Sequence, residues 1–191
     1  VLGNGGQRDA RLPGTPPGLA QAARAQVVSR HNPRMRFFSD VSLIVGSVHN
    51  KLRHVMIPKV ESVADVEAAA NALNQAGALN LPMHVLIESP AAVHRAFEIA
   101  AHPRVHSLSF GLMDFVSAHG GAIPSSGMGV QGQFTHPLVL RAKLEIASAC
   151  HAHGKVPSHC VVTEFNDLEA IKLAATKASR ELGYTRMWSI H

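Results

Sequence analysis

From residue 54 onward the chain alternates short apolar, β-rich runs with longer stretches whose apolar positions recur at helical spacing. The runs are "HVMIP" at 54–58, "MHVLI" at 83–87, "VHSLSF" at 105–110, "VPSHCVV" at 156–162 and "RMWSI" at 186–190. Strands that alternate with helices in this way predict a parallel sheet. After the first run, Ser62 stands three residues before Asp65, and Val63, Val66, Ala70 and Leu73 recur before Gly77, the pattern of a capped amphipathic helix. Ser89 with Pro90 opens the next helix, which His102 and Pro103 close. Asn166 with Glu169 opens another, which Gly183 ends.

Such units build either an open doubly wound sheet or a section of an eight-stranded barrel, and periodicity alone does not choose. No strand is followed by a GxGxxG or GxxxxGKS turn, so the phosphate-binding versions of the open sheet lose support. A complete barrel takes about 250 residues. This chain has 191 and no initiating Met, and is expected to be an incomplete record of a longer protein. Two parts are predicted: residues 1–53, a basic segment that reads as remnants of the first barrel units, and 54–191, which carry the readable strands and helices.

Composition narrows the function classes. At 46% apolar and 16% charged residues the chain can build a substantial core. No apolar run reaches the roughly 20 residues that span a bilayer, and the opening "VLGNGGQRDARLPGTPPG" lacks the apolar centre of a secretory signal. A soluble, cytoplasmic protein with no membrane partner is expected. Cys150 and Cys160, the only cysteines, are too few for a disulfide framework. The formal +5 charge is local: residues 1–53 hold eight Lys or Arg against two Asp, a net of +6, and the remainder nets −1. With no binding motif and little aromatic interleaving beyond Phe37 and Phe38, this arm does not argue for a nucleic-acid partner.

Chemistry concentrates where the strands end. In a parallel sheet Lys59, Glu88, Asp114, His159 and His191 fall at or near one rim, where ligands collect in α/β folds. Glu88 and Asp114 suit a hard divalent ion such as Mg²⁺, which takes one or two carboxylates plus water and substrate oxygens. The competing role for each acid is a helix cap or a solvated loop, although Ser89 already supplies the cap after Glu88. The stretch after Asp114, "FVSAHGGAIPSSGMGVQGQFTHP", reads as a long connection of the kind that forms lids, with His119, Gln131, Gln133, Thr135 and His136 able to meet a polar ligand. Lys59 is a candidate Schiff-base lysine or an ordinary exposed one. "CHAHGKVPSHC" crowds Cys150, His151, His153, His159 and Cys160 without zinc-site spacing, and alternation along a strand would send His159 and Cys160 to opposite faces. No GxSxG elbow marks a serine hydrolase.

The ordered set "MIPKVESVADVEA", "HVLIESPAAV", "LSFGLMDF", "GQFTHPLVLRAKLEIASACHAHGK" and "GYTRMWSIH", over about residues 40–191, resembles the HpcH/HpaI aldolase and citrate lyase beta-subunit superfamily, most closely its malyl-CoA lyase-like members. The resemblance implies an α/β fold, a TIM (β/α)8 barrel of the phosphoenolpyruvate-binding type, of which this chain holds strands four to eight. It implies Glu88 and Asp114 as ligands of Mg²⁺, with Mn²⁺ as a substitute, and backbone amides around Met113 and Asp114 as the seat of a substrate carboxylate. Lys59 is a further substrate contact in this reading. The implied partners are a small oxo acid and an acyl-CoA, with CoA entering as a thioester substrate rather than a cofactor, and a homo-oligomer, trimeric or hexameric. The family's catalytic arginine follows the third strand, where this sequence matches poorly. Arg30 in "VVSRHNP" is the candidate, with Arg34 and Arg36 as alternatives. The acidic motif of the second strand is not found, and the "IHPxQ" ending stops at His191.

These observations predict a Mg²⁺-dependent carbon–carbon lyase or aldolase acting on a 3-hydroxyacyl-CoA of the malyl, citramalyl or citryl type, or on a related hydroxy acid. Two other readings stand beside it. One is a barrel that binds ligand but has lost catalysis and serves as an assembly or regulatory subunit; the other is a CoA-thioester hydrolase on the same scaffold.

Overall fold

A computed structural model describes residues 40–189. Arg30, Arg34, Arg36 and His191, together with the helical stretch expected at "GLAQAARAQVV", lie outside the described residues. The described chain begins with successive short helical turns, Val41–Val45, Gly46–Val48 and His49–Lys51, so helix rather than strand occupies the end of the basic segment.

Five strands follow, β1 (Val55–Ile57), β2 (Met83–Ile87), β3 (Val105–Phe110), β4 (Val156–His159) and β5 (Arg186–Met187), all parallel and hydrogen-bonded in sequence order. Three strands are shorter than the apolar runs predicted, β1 by one residue at each end. β4 stops at His159 instead of Val162, and β5 spans two residues. Unbroken sequential order, with a helical crossover at each step, is the arrangement of a barrel wall.

The helices are α1 (Val63–Gln75), α2 (Pro90–His94), α3 (Ala96–Ala101), α4 (Leu112–Ala118), α5 (Gly132–Thr135), α6 (Pro137–Ala152) and α7 (Leu168–Leu182). Their ends refine the cap assignments. At α1 the Asp65 carboxylate accepts from the Glu61 N–H at 3.0 Å and from the Ser62 hydroxyl at 3.1 Å, so Ser62, the N-cap residue, makes no side-chain cap bond to the helix and the aspartate instead ties the first turn back to the preceding residues. Ser89 does cap α2, accepting from the Ala92 N–H at 3.0 Å while donating to Glu61 Oε2 at 2.6 Å. Asp167, one residue beyond the Asn166 expected, caps α7 through the Ala170 N–H. Gly183, at φ 76°, closes that helix in the left-handed region that glycine adopts without a Cβ penalty.

Strand alternation gives the sheet two different faces. Met83, Val85, Ile87, Leu108 and Phe110 are buried with α1, α3 and α6 in the main apolar core. Register places His84 beside Ser107, Leu86 beside Ser109 and Ser109 beside Ser158 on the opposite face. This inner face is polar yet buried. His84 Nδ1 bonds the Ser107 hydroxyl, the Trp188 indole N–H donates to Ser109 Oγ, and Ser109 Oγ donates to the Ser158 carbonyl at 3.2 Å. Burial pushes His84 down to about 4, with His54, Arg186 and His106 adding repulsion.

Connection between β3 and β4 differs from the open loop read from its Gly, Ser and Pro content. It holds α4, a 3₁₀ turn at Ser125–Met128, α5 and then α6. Gly132 makes its packing feasible, because a Cβ there would stand 2.0 Å from the Ser126 carbonyl oxygen. Backbone against backbone cannot yield as a side chain can. Gly132→Ala is therefore expected to lower stability by about 1–3 kcal/mol, as overpacking does, read as a fall in the urea midpoint; an unchanged midpoint would contradict this packing.

Candidate metal and substrate site

Three consecutive strand ends build the site. β1 leads through Pro58 to Lys59, β2 leads to Glu88, and β3 leads through Gly111 into α4, whose first turn carries Asp114. Asp114 thus sits on a helix just past the strand rather than on the strand end itself. Sheet register, with Ile57 opposite Val85 and Ile87 opposite Phe110, brings the three side chains to one rim.

Glu88 is largely buried and Asp114 half exposed, with side-chain accessibilities of 12% and 53%. Burial raises the Glu88 carboxyl above its ordinary value, and Lys59 opposes the shift. Lys59 reaches both acids. Its N–H donates to Glu88 Oε2 at 3.1 Å, and its ammonium lies 2.7 Å from Asp114 Oδ2 and 3.8 Å from Glu88 Oε2. The hydrogen bond to Asp114 is the main force raising the lysine's pKa, against desolvation and with help from the Glu88 charge. A lysine held protonated in this way is a poor Schiff-base nucleophile.

Those contacts also test the site for a divalent ion. Two carboxylates already converge on one cationic centre, and the exposure of Asp114 leaves room for water and substrate oxygens. Among the described residues no three His, Cys, Asp or Glu side chains are grouped to hold a metal. A donor set of two carboxylates completed by small molecules suits Mg²⁺. Met113 beside Asp114 exposes 41% of its surface at the same rim. The first N–H groups of α4 have no intrahelical acceptor, as at any helix start.

Gly111 is a residue of the candidate site that the pattern of chemical groups does not flag. A Cβ at this position would stand 2.4 Å from Glu88 Cγ and 3.0 Å from Oε1. Only glycine lets the Glu88 side chain lie where it does.

His159 does not join the rim. It is buried toward the helices, stacked on Phe134 with 5.5 Å between ring centroids, and its Nε2 lies 2.7 Å from Lys143 Nζ. Lys143 donates to Gln133 Oε1 at 3.0 Å, and so does the Cys160 thiol. His159 and Cys160 therefore share one buried cluster, because β4 ends at His159 and the two-face alternation stops with it. Gln133 is a structural member of that cluster, also donating to the Met128 carbonyl. Of the other connection residues, His119 bonds the Phe115 carbonyl, while Gln131, Thr135 and His136 line a hollow of about 420 Å³. Cys150 is buried in α6.

Burial without a carboxylate partner lowers Lys143 to about 8. The unfolded chain then binds the proton more tightly than the folded one, so this residue's contribution to stability rises as pH climbs from about 8 toward the ordinary 10.5. Cys150, Cys160 and Tyr184, all raised by burial, act oppositely once unfolded thiols ionise. The expected result is that between pH 8 and 9 the wild type gains stability relative to Lys143→Met, in which only the opposing thiol effect remains, measured by urea unfolding. Parallel pH profiles would contradict it.

The sequence profile of the HpcH/HpaI aldolase/citrate lyase family matches residues 17–191. The chain belongs to that family. This HpcH/HpaI chain is 30% identical over 172 residues to the L-malyl-CoA/beta-methylmalyl-CoA lyase of Cereibacter sphaeroides, covering 81% of the chain and 53% of the relative. A citrate lyase structure from Burkholderia xenovorans aligns with a TM-score of 0.76 at 48% identity, covering 81% of this chain and 50% of that one. The Mycobacterium tuberculosis protein CitE, solved with magnesium and pyruvate, aligns with a TM-score of 0.61 at 25% identity over 73% of this chain and 53% of its own. The chain spans about half the length of the curated relatives it matches. Its fold neighbours are TIM-barrel-like, so the five parallel strands are a run of barrel wall with the polar face inward. Among the described residues no helix is long and apolar enough to cross a membrane.

Proposed function

We propose that the protein is a Mg²⁺-dependent carbon–carbon lyase of the oxo-acid type, acting on a 3-hydroxyacyl-CoA such as malyl-CoA or citramalyl-CoA. The observation that carries this reading is the convergence of Glu88 and Asp114 on one cation position at the strand-end rim, 2.7 and 3.8 Å from the ammonium that marks it. The relative named as a malyl-CoA lyase and the structure holding magnesium and pyruvate support the substrate class and the metal.

Glu88 and Asp114 would hold Mg²⁺, which when bound supplies a Lewis acid for the 2-oxo acid oxygens. Mn²⁺ shares the oxygen preference and would substitute. The first amides of α4, at Met113 and Asp114, would receive the substrate carboxylate. Lys59 stands beside them as a contact for an anionic group. Arg30, outside the described residues, is the proposed group that polarises the reacting carbonyl. Cleavage would remove the hydroxyl proton to a base or water and break the bond between the hydroxyl-bearing carbon and the thioester α-carbon, releasing an oxo acid and leaving the electron pair as a thioester enolate that then takes up a proton. A homo-oligomer and a cytoplasmic location belong to the same proposal.

A panel of CoA esters, assayed with and without Mg²⁺ for oxo-acid and acyl-CoA products, tests the reading. Metal-dependent release of both products is expected. Free CoA without an oxo acid would instead identify a thioester hydrolase, and calorimetric oxo-acid binding without turnover a ligand-binding subunit; either result would overturn the lyase.

A further inference from the structure

The geometry points to Lys59 as a placeholder cation: without a divalent ion its ammonium occupies the seat between Glu88 and Asp114, and it must leave that seat for the ion to bind. The inference rests on the reading of those carboxylates as metal ligands and adds a competitor within the chain. Its ammonium lies 2.7 Å from Asp114 Oδ2 and 3.8 Å from Glu88 Oε2, so one positive charge serves both acids where a divalent ion would bridge them. Separately, the Lys59 N–H donates to Glu88 Oε2 at 3.1 Å. Backbone and side chain thus reach the acids through independent bonds.

Lys59 is also the one non-glycine of positive φ among the described residues, at 54°. That conformation is unfavourable for a residue with a Cβ and persists where surrounding contacts hold it. Here it turns the chain after β1 so that amide and ammonium both face the acids. The two bonds then have different fates. The amide keeps Glu88 aligned whichever cation is present. The ammonium competes for the oxygens the ion needs, and its side chain, 52% exposed, has solvent to swing into. Between visits of the ion, the lysine offsets the repulsion between two facing carboxylates.

Calorimetric titration with Mg²⁺ alone tests this on the wild type, Lys59→Gly and Lys59→Met. Glycine suits the positive φ and keeps the amide, so that variant removes the ammonium without burdening the fold. Both variants are expected to bind Mg²⁺ about fivefold more tightly, the worth of an exposed ion pair. In the wild type, saturating Mg²⁺ is expected to speed labelling of Lys59 by an amine-acylating reagent, read by peptide mass mapping. Equal or weaker Mg²⁺ binding by either variant, or a labelling rate unmoved by Mg²⁺, overturns the placeholder while the metal site stands. Absence of Mg²⁺ binding in all three proteins overturns the metal reading itself.

Discussion

Gly111→Ala is expected to weaken Mg²⁺ binding at least tenfold and to lower metal-dependent turnover by as much or more, although it changes no ligand. The added methyl would stand 2.4 Å from Glu88 Cγ, 3.0 Å from Oε1 and 3.1 Å from Cδ. The backbone cannot withdraw, because the Gly111 N–H donates to the Ile87 carbonyl at 2.9 Å within the β2–β3 pairing. The Glu88 side chain must therefore move. Overpacking of this kind costs about 1–3 kcal/mol, and a metal-ligand constellation tolerates displacements of only about 0.5 Å. Tenfold in affinity corresponds to about 1.4 kcal/mol, within that range. Calorimetry with Mg²⁺, beside a thermal melt showing that the variant still folds, checks the expectation. A folded variant with wild-type affinity would show that Glu88 does not depend on the gap at Gly111.

Acid should weaken the fold well before the pH falls to the ordinary carboxylate range. His84 and His159 are buried neutral, held down to about 4 and about 3 from an ordinary 6.5, chiefly by desolvation and secondarily by neighbouring positive groups. As pH falls below 6.5 the unfolded chain gains protons that the folded chain refuses, so stability is lost from there down to the folded pKa values. At pH 5 each histidine accounts for about 2 kcal/mol of that loss. Together they remove a large share of a typical domain's 5–15 kcal/mol. Urea midpoints are expected to drop steeply between pH 7 and 5, and His84→Asn with His159→Gln, which keep hydrogen-bonding groups without titrating there, should flatten the slope. An equally steep slope in the double variant would place the acid sensitivity elsewhere.

The elements that announce themselves in sequence are those governed by local chemistry. The five strands begin within a residue of the apolar runs, Ser89 and Pro90 open α2, and Gly183 closes α7. Glu88 was legible for the same reason: a carboxylate directly after an apolar run has few places to go. What the sequence conceals depends on partners far along the chain. Gly111 matters because of Glu88, and nothing beside Gly111 shows that Glu88 will lie across it. The positive φ of Lys59 is held by acids 29 and 55 residues away. Gln133 reads as a loop residue able to meet a polar ligand and His159 as a rim residue until Lys143, buried against the usual preference of lysine, folds inward to bond both. Asp114 reads as a strand end because Gly111 interrupts an apolar stretch, whereas Leu112, Phe115 and Val116 turn that stretch into the buried side of a helix.

Whether Glu88 and Asp114 together hold a divalent ion is read from Mg²⁺ titration of the wild type beside folded Glu88→Gln and Asp114→Asn. Saturable binding near one ion per chain is expected in the wild type, with a loss of at least tenfold in affinity in each variant. Undiminished Mg²⁺ binding in either variant would contradict it.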